Sequence, residues 1–587
     1  MDELPVLTKL IARNFKLFDE IEVELGQQVI FVGPNNAGKT TALQALALWD
    51  VGLKRWLERS RSGDGRTQRA WATINRRDLI ALPVPATNLL WRDLRTRTRT
   101  QGGMATQNTL IEIIVQGTNW SCGLEFGYVN AESLNCRPLR REDGEPMKVP
   151  AEANAVRIAY LPPMSGLAAN ETRLDPGAIN VRLGEGRTAE VLRNLCLQIL
   201  NGEDGKAHWQ KLCDRVETLF GSRLNPPQYI PERGEITMTY RSPEAARSRL
   251  PRSGRGRRKA HLDLSASGRG QQQVMLLLAH LIANPGSVLL IDEPDAHLEF
   301  IRQRQIYQLL SDASEETGSQ IIAASHSEVL LNEAADRDVL IAFVGKPHRI
   351  DNRGSQVLKA LKEIGFEHYL QAEKCGWVLY LEGATDLAVL QALAKRLNHP
   401  AAQALEAPYV HYVANQPNKA RQHFYGLREA KADLVGVALY DRLDSEPASD
   451  GPQFTQMMWR RRELENYLCR PEVLLDFAKD AGRRELGGLF AVAWQDYMQE
   501  SIGEIEAALQ TLRGTSPWSG DIKATDEFLD PLFMRFYEKC NAGELLRKTH
   551  YHRLARFMPP ERIDPEVAEK LDAIAAAANQ AKKAEEP

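Results

Sequence analysis

Cysteine is scarce and unpaired in this sequence, with seven in 587 residues and no Cys-x-x-Cys pair. A scattered, odd-numbered set argues against a disulfide framework and against a zinc site, and it fits a reducing cytoplasm. Long apolar runs are also missing, and no stretch approaches the ~20 apolar residues that a membrane span needs. The opening MDELPVLTKL is acidic and lacks the basic-then-apolar order of a signal peptide. The expectation is therefore a cytoplasmic protein with no membrane partner. Nor does one sign of charge dominate, because 74 Lys and Arg face 77 Asp and Glu for a net charge of −3. So balanced a molecule has no global basic field, and contact with nucleic acid would fall to local patches. Two Arg-rich stretches qualify, residues 54–99 with RTRTRT and RSRLPRSGRGRRK at 247–259. Each reads equally well as a solvated loop. No internal repeat and no sustained heptad run is present, which leaves no long coiled coil.

What is there is length enough for two to four domains and a repeated strand–helix alternation. LTKLIARNFKLFDEIEVELGQQVIFVG reads as two or three strands, followed by a Gly-rich turn and the helix TTALQALALWDVGL. Residues 108–130 return to strand alternation, and 186–222 read as helical. Residues 262–346 alternate helix and apolar strand (QQQVMLLLAHLIAN, SVLLID, SQIIAAS, DVLIAFV), the pattern of a parallel α/β sheet. After a break near 346–376 a second α/β pattern starts with WVLYLEG, PYVHYV and DLVGVALYD. Residues 471–540 read as mainly helical, and a terminal Ala/Lys/Glu helix begins at Pro565.

GPNNAGKT fills the G-x-x-x-x-G-K-[ST] pattern between a strand and a helix. Gly33 and Gly38 let backbone N–H groups approach phosphate oxygens, the helix N-terminus adds positive potential, Lys39 reaches the β/γ-phosphates and Thr40 ligates Mg²⁺. VLLIDE supplies the partner strand, with Asp292 as the second Mg²⁺ ligand and Glu293 placed to polarise water. SASGRGQQQ (265–273), PDAHL after Glu293, and His326 after SQIIAAS complete the set. Together with NFKLF…GPNNAGKTTAL, these pieces resemble the ABC-type ATPases of chromosome maintenance and recombination repair. The resemblance implies an ATP site of Gly33, Asn36, Gly38, Lys39, Thr40, Thr41 and Asp292, completed in trans by Ser267 and Gly268 of a second subunit. It places Asp295 in the D-loop and makes His326 the γ-phosphate switch. Arg269 and Gly270 depart from the usual signature, and YLPPMSGL (160–167) is a candidate nucleotide-proximal loop.

The stretch LYLEGATDLAVL (379–390) ends a buried strand on Glu382 and sets Asp386 one helical turn later. Either the two acids hold a metal ion or the second caps a helix. LVGVALYDRLD repeats the arrangement with Asp441 and Asp444. Carboxylates crowded at neighbouring strand ends repel without a cation, and oxygen-only ligands suit Mg²⁺ or Mn²⁺. The pattern resembles the topoisomerase–primase (TOPRIM) domain, and the tandem resembles the overcoming-lysogenization-defect (OLD) family of ATP-linked nucleases. RRRELENYL (460–468) and RKTHYHRL (547–554) also resemble recurrent stretches of this group, as do INRRDL and LLWRDL in the first half.

That resemblance implies an ABC-type P-loop ATPase over 1–365, with a helical dimerisation and loop insertion at about 170–250. A TOPRIM α/β nuclease domain would follow over 366–587, with a helical insertion at about 471–540. The implied metal set is Glu382, Asp386, Asp441, Asp444 and Glu465, holding two Mg²⁺ or Mn²⁺ ions, with Glu382 as base and Lys548 stabilising the cleaved phosphate. Leu443 stands where the family carries the second acid of Asp-x-Asp. The implied activity is ATP-gated, metal-dependent DNA cleavage by a dimer or higher oligomer in antiviral defence or repair, beside a partner such as a helicase. The alternative is a sensor or scaffold ATPase with a degenerate second domain that binds DNA or an effector without cutting. A repair loader that binds DNA ends is a third reading, disfavoured by the complete first acidic motif and the missing coiled coil.

Overall fold

The computed structural model describes residues 6–62, 71–79, 82, 84–99, 106–141, 143–164, 167–168, 170–241, 261–296, 298–335, 337–350, 355–448, 450–486, 491–541 and 546–584. The basic stretch 247–259 lies outside them, as do Ser165 and Gly166 of YLPPMSGL and His297 of PDAHL. The chain divides into two compact units, 1–354 and 355–584.

The first unit opens with β1 (Leu7–Phe15), β2 (Phe18–Glu24), β3 (Gln28–Val32) and helix α1 (Lys39–Ser62). The buried–exposed alternation of β2 marks a sheet with one wet face. β1 and β2 join β4 (Ala72–Asn75), β5 (Ile111–Gly117), β6 (Ser121–Asn130) and β7 (Ser133–Pro138) in an antiparallel sheet ordered β2-β1-β5-β6-β7-β4. The remaining elements are β8 (Ile158–Leu161), α2 (Leu192–Asn201), α3 (Gly205–Phe220), α4 (Arg269–Ala283), β9 (Val288–Asp292), α5 (Phe300–Thr317), β10 (Gln320–Ser325), β11 (Val339–Ala342) and β12 (His348–Arg349). They complete a second sheet, β8-β9-β10-β3-β11-β12, parallel except for its last strand. β9 and β10 are buried at every position, so they read as unbroken apolar runs. Buried Gln320 stitches the two sheets: its amide donates to the carbonyls of Leu7 (2.8 Å) and Gly26 (2.7 Å) and accepts from the Leu7 N–H (2.9 Å).

The helical stretch 186–222 folds as α2 and α3, which pack on each other and on α4. Leu192, Leu195, Cys196, Ile199, Trp209, Leu212 and Val216 are all buried there. This apolar face is already used inside the unit. Part of the Arg-rich stretch 54–99 is paired where it is described: Lys54 with Asp50 (2.6 Å), Arg55 with Asp78 (2.7 Å) and Arg76 with Glu132 (3.1 Å).

The second unit begins with α6 (Ser355–Ile364), ahead of the boundary expected from the sequence. The physical reason is packing: α6 lies against α9 (Pro417–Ala430), where a methyl added to Gly426 would meet the Ile364 side chain at 2.2 Å. Next come α7 (Phe366–Cys375), β13 (Trp377–Leu381), α8 (Ala384–Arg396), β14 (Val410–Tyr412), β15 (Val435–Tyr440) and β16 (Phe454–Met458). Their sheet is parallel throughout and ordered β14-β13-β15-β16. Alternate residues face opposite sides: Trp377, Leu379 and Leu381 join Val435, Val437 and Leu439 in the large core built with helices 471–486, 491–513, 530–540 and 565–580. Tyr380 faces the other side, against His423 and Phe454, with the Phe454 ring stacked on Phe424 at 4.3 Å. The chain runs from β13 outward to β14, then returns to β15 on the other side of β13. That reversal opens a crevice at the C-terminal ends of β13 and β15, where open α/β sheets bind ligands.

Candidate functional site

In the first unit, β3 delivers the chain into the turn 33–38. Gly33 has φ 152° and Gly38 φ 99°, which a side chain rarely adopts. A methyl on Gly33 would lie 2.5 Å from the Phe343 carbonyl oxygen, and one on Gly38 would lie 2.6 Å from the Phe18 ring. Packing behind the loop thus fixes both glycines. Lys39 is buried, and its ammonium donates to the carbonyls of Gly33 (2.7 Å) and Pro34 (2.9 Å). Burial lowers its pKa, opposed by Asp292, Glu293 and Asp295. Thr40 Oγ1 donates to Asp292 Oδ2 at 2.8 Å, so both expected Mg²⁺ ligands already meet at the end of β9. Burial pushes Asp292 up to about 6, against the hydrogen bonds from Thr40 and Tyr160. These are hard oxygen donors beside an ammonium and a helix N-terminus, and they fit Mg²⁺ with a polyphosphate. Asn36 is exposed with φ 63°, and Thr41 is buried.

Glu293 follows with φ 51°, its N–H bound to the Ala324 carbonyl at 2.9 Å. Asp295 is buried and accepts from Ser325 Oγ at 2.7 Å, while Ser327 Oγ donates to Gln303 at 2.8 Å. His326, between the two serines, is exposed at the tip of β10. Ser267 is turned inward, its hydroxyl donating to the Leu264 carbonyl at 2.7 Å. Gly268 caps α4 and is exposed, with no atom within 4 Å of an added methyl. Tyr160 is the residue that sequence reasoning missed: it stands next to last in β8, pairs in register with Leu290, and its phenol acts on Asp292.

In the second unit, Glu382 and Asp441 stand at the C-terminal ends of the adjacent strands β13 and β15. Their carboxyl groups act strongly on each other, a crowding that favours a proton or a cation between them. Burial first, then Glu382, Asp386 and Glu465, push Asp441 far above the ordinary carboxyl range. Asp386 Oδ2 accepts from the N–H groups of Glu382 (3.0 Å) and Gly383 (3.2 Å). It is therefore the helix cap that the sequence allowed, and the cap also fixes it beside Glu382. Burial raises Asp386, opposed by those N–H groups and by Lys548. Glu465 is buried in the turn Leu464–Tyr467, and burial lifts it to about 7. Its Oε1 has no hydrogen-bond partner and lies 3.9 Å from the Lys548 ammonium.

Asp444 does not join this group. It is exposed, and the charges that act most strongly on Asp441 are Glu382, Asp386 and Glu465. The neighbouring Arg442 turns away to pair with Asp521. The remaining carboxyls are near one another without being drawn to single-ion spacing: among the described residues, no three of them have oxygens all within 4.8 Å. Hard oxygen donors, one carboxyl pair acting strongly on each other and a buried, unpartnered glutamate oxygen fit a divalent cation better than they fit empty water.

A P-loop between strand and helix, an Asp at the end of another parallel strand of the same sheet and a Thr joined to it define the first unit as an α/β P-loop ATPase fold. The family described as "AAA domain, putative AbiEii toxin, Type IV TA system" matches residues 210–332, the stretch from α3 through β9 to His326. Curated relatives include two proteins titled "Putative peptide import ATP-binding protein", from Brucella abortus (strain 2308) and Brucella suis biovar 1 (strain 1330). Each is 36% identical over 81 residues, 14% of this chain and 24% of the relative. The chain thus spans about a quarter of the length of the curated relatives it matches. Similar solved structures include the SMC head domain from Thermotoga maritima, at 14% identity, TM-score 0.30, 59% of this chain and 98% of that one. Another is an Smc head domain with an extended coiled coil, bound to the C-terminal domain of ScpA, from Pyrococcus furiosus, at 14% identity, TM-score 0.33, 62% of this chain and 100% of that one.

Proposed function

We propose that the chain binds and hydrolyses ATP in its first unit and cleaves DNA with its second, as a dimer or higher oligomer, in defence or repair. The observation that carries the second half is the meeting of Glu382 and Asp441 at the ends of adjacent parallel strands, with Asp386, Glu465 and Lys548 acting on the same group. In the first unit, Lys39 and the 33–38 turn orient the phosphates, and Thr40 with Asp292 would hold Mg²⁺. Glu293, beyond the strand end, orients the attacking water, and Ser267 and Gly268 of a second subunit with His326 close the site. The exposure of Gly268 and His326 supports that completion in trans.

In the second unit, Glu382, Asp441, Glu465 and Asp386 would hold Mg²⁺ or Mn²⁺. A cation there supplies Lewis-acid activation of water and neutralises charge on the leaving oxygen. Glu382 takes the proton from the attacking water, and Lys548 lies where it can offset the charge of the cleaved phosphate. The ATPase units are proposed to gate this cleavage. The test is plasmid nicking by the full chain with Mg²⁺ or Mn²⁺, with and without ATP. Glu382→Ala and Asp441→Ala that cut as fast as wild type would refute the site.

A second reading, a sensor or scaffold ATPase that binds DNA or a partner without cutting, draws on Leu443, the exposed Asp444 and the open spacing of the carboxyls. It predicts Lys39-dependent ATP hydrolysis with no cleavage under any divalent ion. The toxin–antitoxin wording of the matching family is in keeping with a defence role under either reading.

A further inference from the structure

On the face of the second unit's sheet opposite its main core, three histidines from three separate elements meet. His368 comes from α7, His411 from the edge strand β14 and His423 from α9. One ligand nitrogen from each lies within 4.8 Å of the other two. The His411 and His423 rings stack at 3.8 Å, and His368 stands edge-on to both at 5.0 Å. We propose that His368, His411 and His423 form a three-imidazole site for a divalent transition-metal ion, Zn²⁺ by preference, separate from the carboxyl cluster at the strand ends.

The second shell is what sets this group apart from ordinary aromatic packing. His423 Nδ1 is 2.9 Å from the Tyr380 hydroxyl, and His368 Nδ1 is 3.0 Å from that of Tyr409. When each Nδ1–H donates to its phenol, each Nε2 presents a lone pair to the centre of the group. An outer partner that fixes the tautomer in this way accompanies most metal-bound histidines. The Nε2 of His423 is buried and has no hydrogen-bond partner, an unfavourable state unless something binds it. Burial first, and then the neighbouring imidazoles, hold His411 at about 4 and His423 at about 3.

The donor set chooses the ion. Three neutral nitrogens suit Zn²⁺, Cu²⁺ or Ni²⁺ and are poor ligands for Mg²⁺ or Mn²⁺. Three protein ligands leave a fourth, water-filled position on a tetrahedral Zn²⁺. Nitrogens around a tetrahedral ion stand roughly 3.4 Å apart, given Zn–N bonds of about 2.0–2.1 Å, so the site closes by turning the rings, and the nearly parallel His411–His423 stack, 5° between planes, opens as each lone pair turns to the ion. The scattered cysteines, which argue against a zinc site from sequence, do not bear on ligands that are all imidazoles. An ion here would tie α7 and α9 to the edge strand of the sheet. This proposal does not rest on the nuclease reading.

The test uses the full chain, stripped with a chelator and titrated with Co²⁺ and then Zn²⁺. Wild type should take up one equivalent of Co²⁺ with the visible absorption of an imidazole-ligated ion of low coordination number, and Zn²⁺ should abolish that band. The double variant His411→Gln/His423→Gln should bind one equivalent less and show no band. The milder His368→Gln, on a partly exposed helix position, should weaken Co²⁺ uptake at least tenfold, with an unchanged circular dichroism spectrum. Asp441→Asn should keep the band. Stoichiometric Zn²⁺ should raise the melting temperature of wild type and leave the double variant unmoved. A wild type without the band, a band that persists in the double variant, or a band lost in Asp441→Asn would each overturn the assignment.

Discussion

Replacing Asp441 with Asn should stabilise the metal-free protein, against the usual expectation for a strand-end polar residue. Of its neighbouring charges, Glu382 acts most strongly on Asp441, and Asp386 and Glu465 add further negative charge. Ionising Asp441 would set two like charges about 4 Å apart, worth roughly 4 kcal/mol at an effective dielectric constant near 20, so the folded chain holds the proton instead, at a cost bounded by that repulsion. Partial exposure of Asp441 halves that to about 2 kcal/mol. Asp441, Asp386 and Glu465 all have folded-state pKa values above the ordinary carboxyl range. Between the unfolded value near 4 and the raised folded value, the unfolded chain has released its proton and the folded chain has kept it. Stability of the metal-free protein therefore falls as pH rises from about 4 through about 7, the value Glu465 reaches, and continues to fall for Asp441. The Asn variant removes one titrating acid, so its slope is shallower and its advantage is greatest at alkaline pH. At about 2–4 °C per kcal/mol for a domain of this size, the gain at pH 8 is roughly 4–8 °C. Differential scanning fluorimetry in EDTA measures it. Mg²⁺ or Mn²⁺ should then reverse the order, raising wild type more than Asp441→Asn. An Asn variant that melts at or below wild type in EDTA at pH 8, or that gains as much from Mg²⁺, would refute the reasoning.

Lys39→Ala should abolish ATP hydrolysis in a phosphate-release assay, while leaving the melting temperature within a few degrees of wild type. Gly38→Ala should weaken nucleotide binding in a fluorescent-ATP titration, because the added methyl would meet the Phe18 ring at 2.6 Å on a backbone with φ 99°. Glu171→Ala should cost about 3 kcal/mol of stability in urea unfolding. Glu171 is buried and accepts from the N–H groups of Arg193 (2.9 Å) and Asn194 (2.6 Å) and from the Asn194 amide (2.8 Å), donors left unsatisfied without it. Leu443→Asp should not accelerate cleavage, because the neighbouring Asp444 already points to solvent; a several-fold gain in nicking rate would show that this turn does reach the crevice.

The parts legible in the sequence were those written within a few residues. Strand, glycines, lysine and helix sit in one stretch at 28–62, so the P-loop and its setting can be read directly. β9, β10 and β15 are buried on both faces and so appear as apolar runs, two of them, β9 and β15, ending in acids. Contacts set by tertiary packing leave no such trace. Tyr160 meets Asp292 only because β8 pairs with β9, and nothing in YLPPMSGL marks it. The three histidines gather from 368, 411 and 423 with no ligand spacing to find. Domain membership of α6 was hidden for the same reason, since its partner α9 lies some fifty residues further on. The dual part played by Asp386 was visible as an alternative and could not be decided, because one carboxylate can cap a helix with one oxygen and still face its neighbours.

The absence of an acid at Leu443 looks different once the turn around Glu465 is considered. The Leu464 N–H donates to Asp441 Oδ1 at 3.2 Å, so the turn is attached to the strand end itself. On its far side Glu463 accepts from the Thr525 N–H at 3.1 Å, and the Glu463 N–H donates to Asn466 Oδ1 at 2.8 Å. A turn anchored at its start and closed on itself by Asn466 presents Glu465 with little freedom, and preorganised charge is what a cation site requires. The loop carrying residues 442–444 has its own commitments, with Arg442 paired to Asp521 and Asp444 in solvent. The negative potential of the crevice therefore comes from Glu382, Asp386, Asp441 and Glu465, with Lys548 the cation that most strongly offsets Glu465. One lysine cannot neutralise that many buried carboxyls, so the group must hold protons, as the raised pKa values indicate, or cations. Which of the two it holds at neutral pH decides between a cleaving and a merely binding second unit, and that choice depends on spacing around Asp441 rather than on the residue at 443.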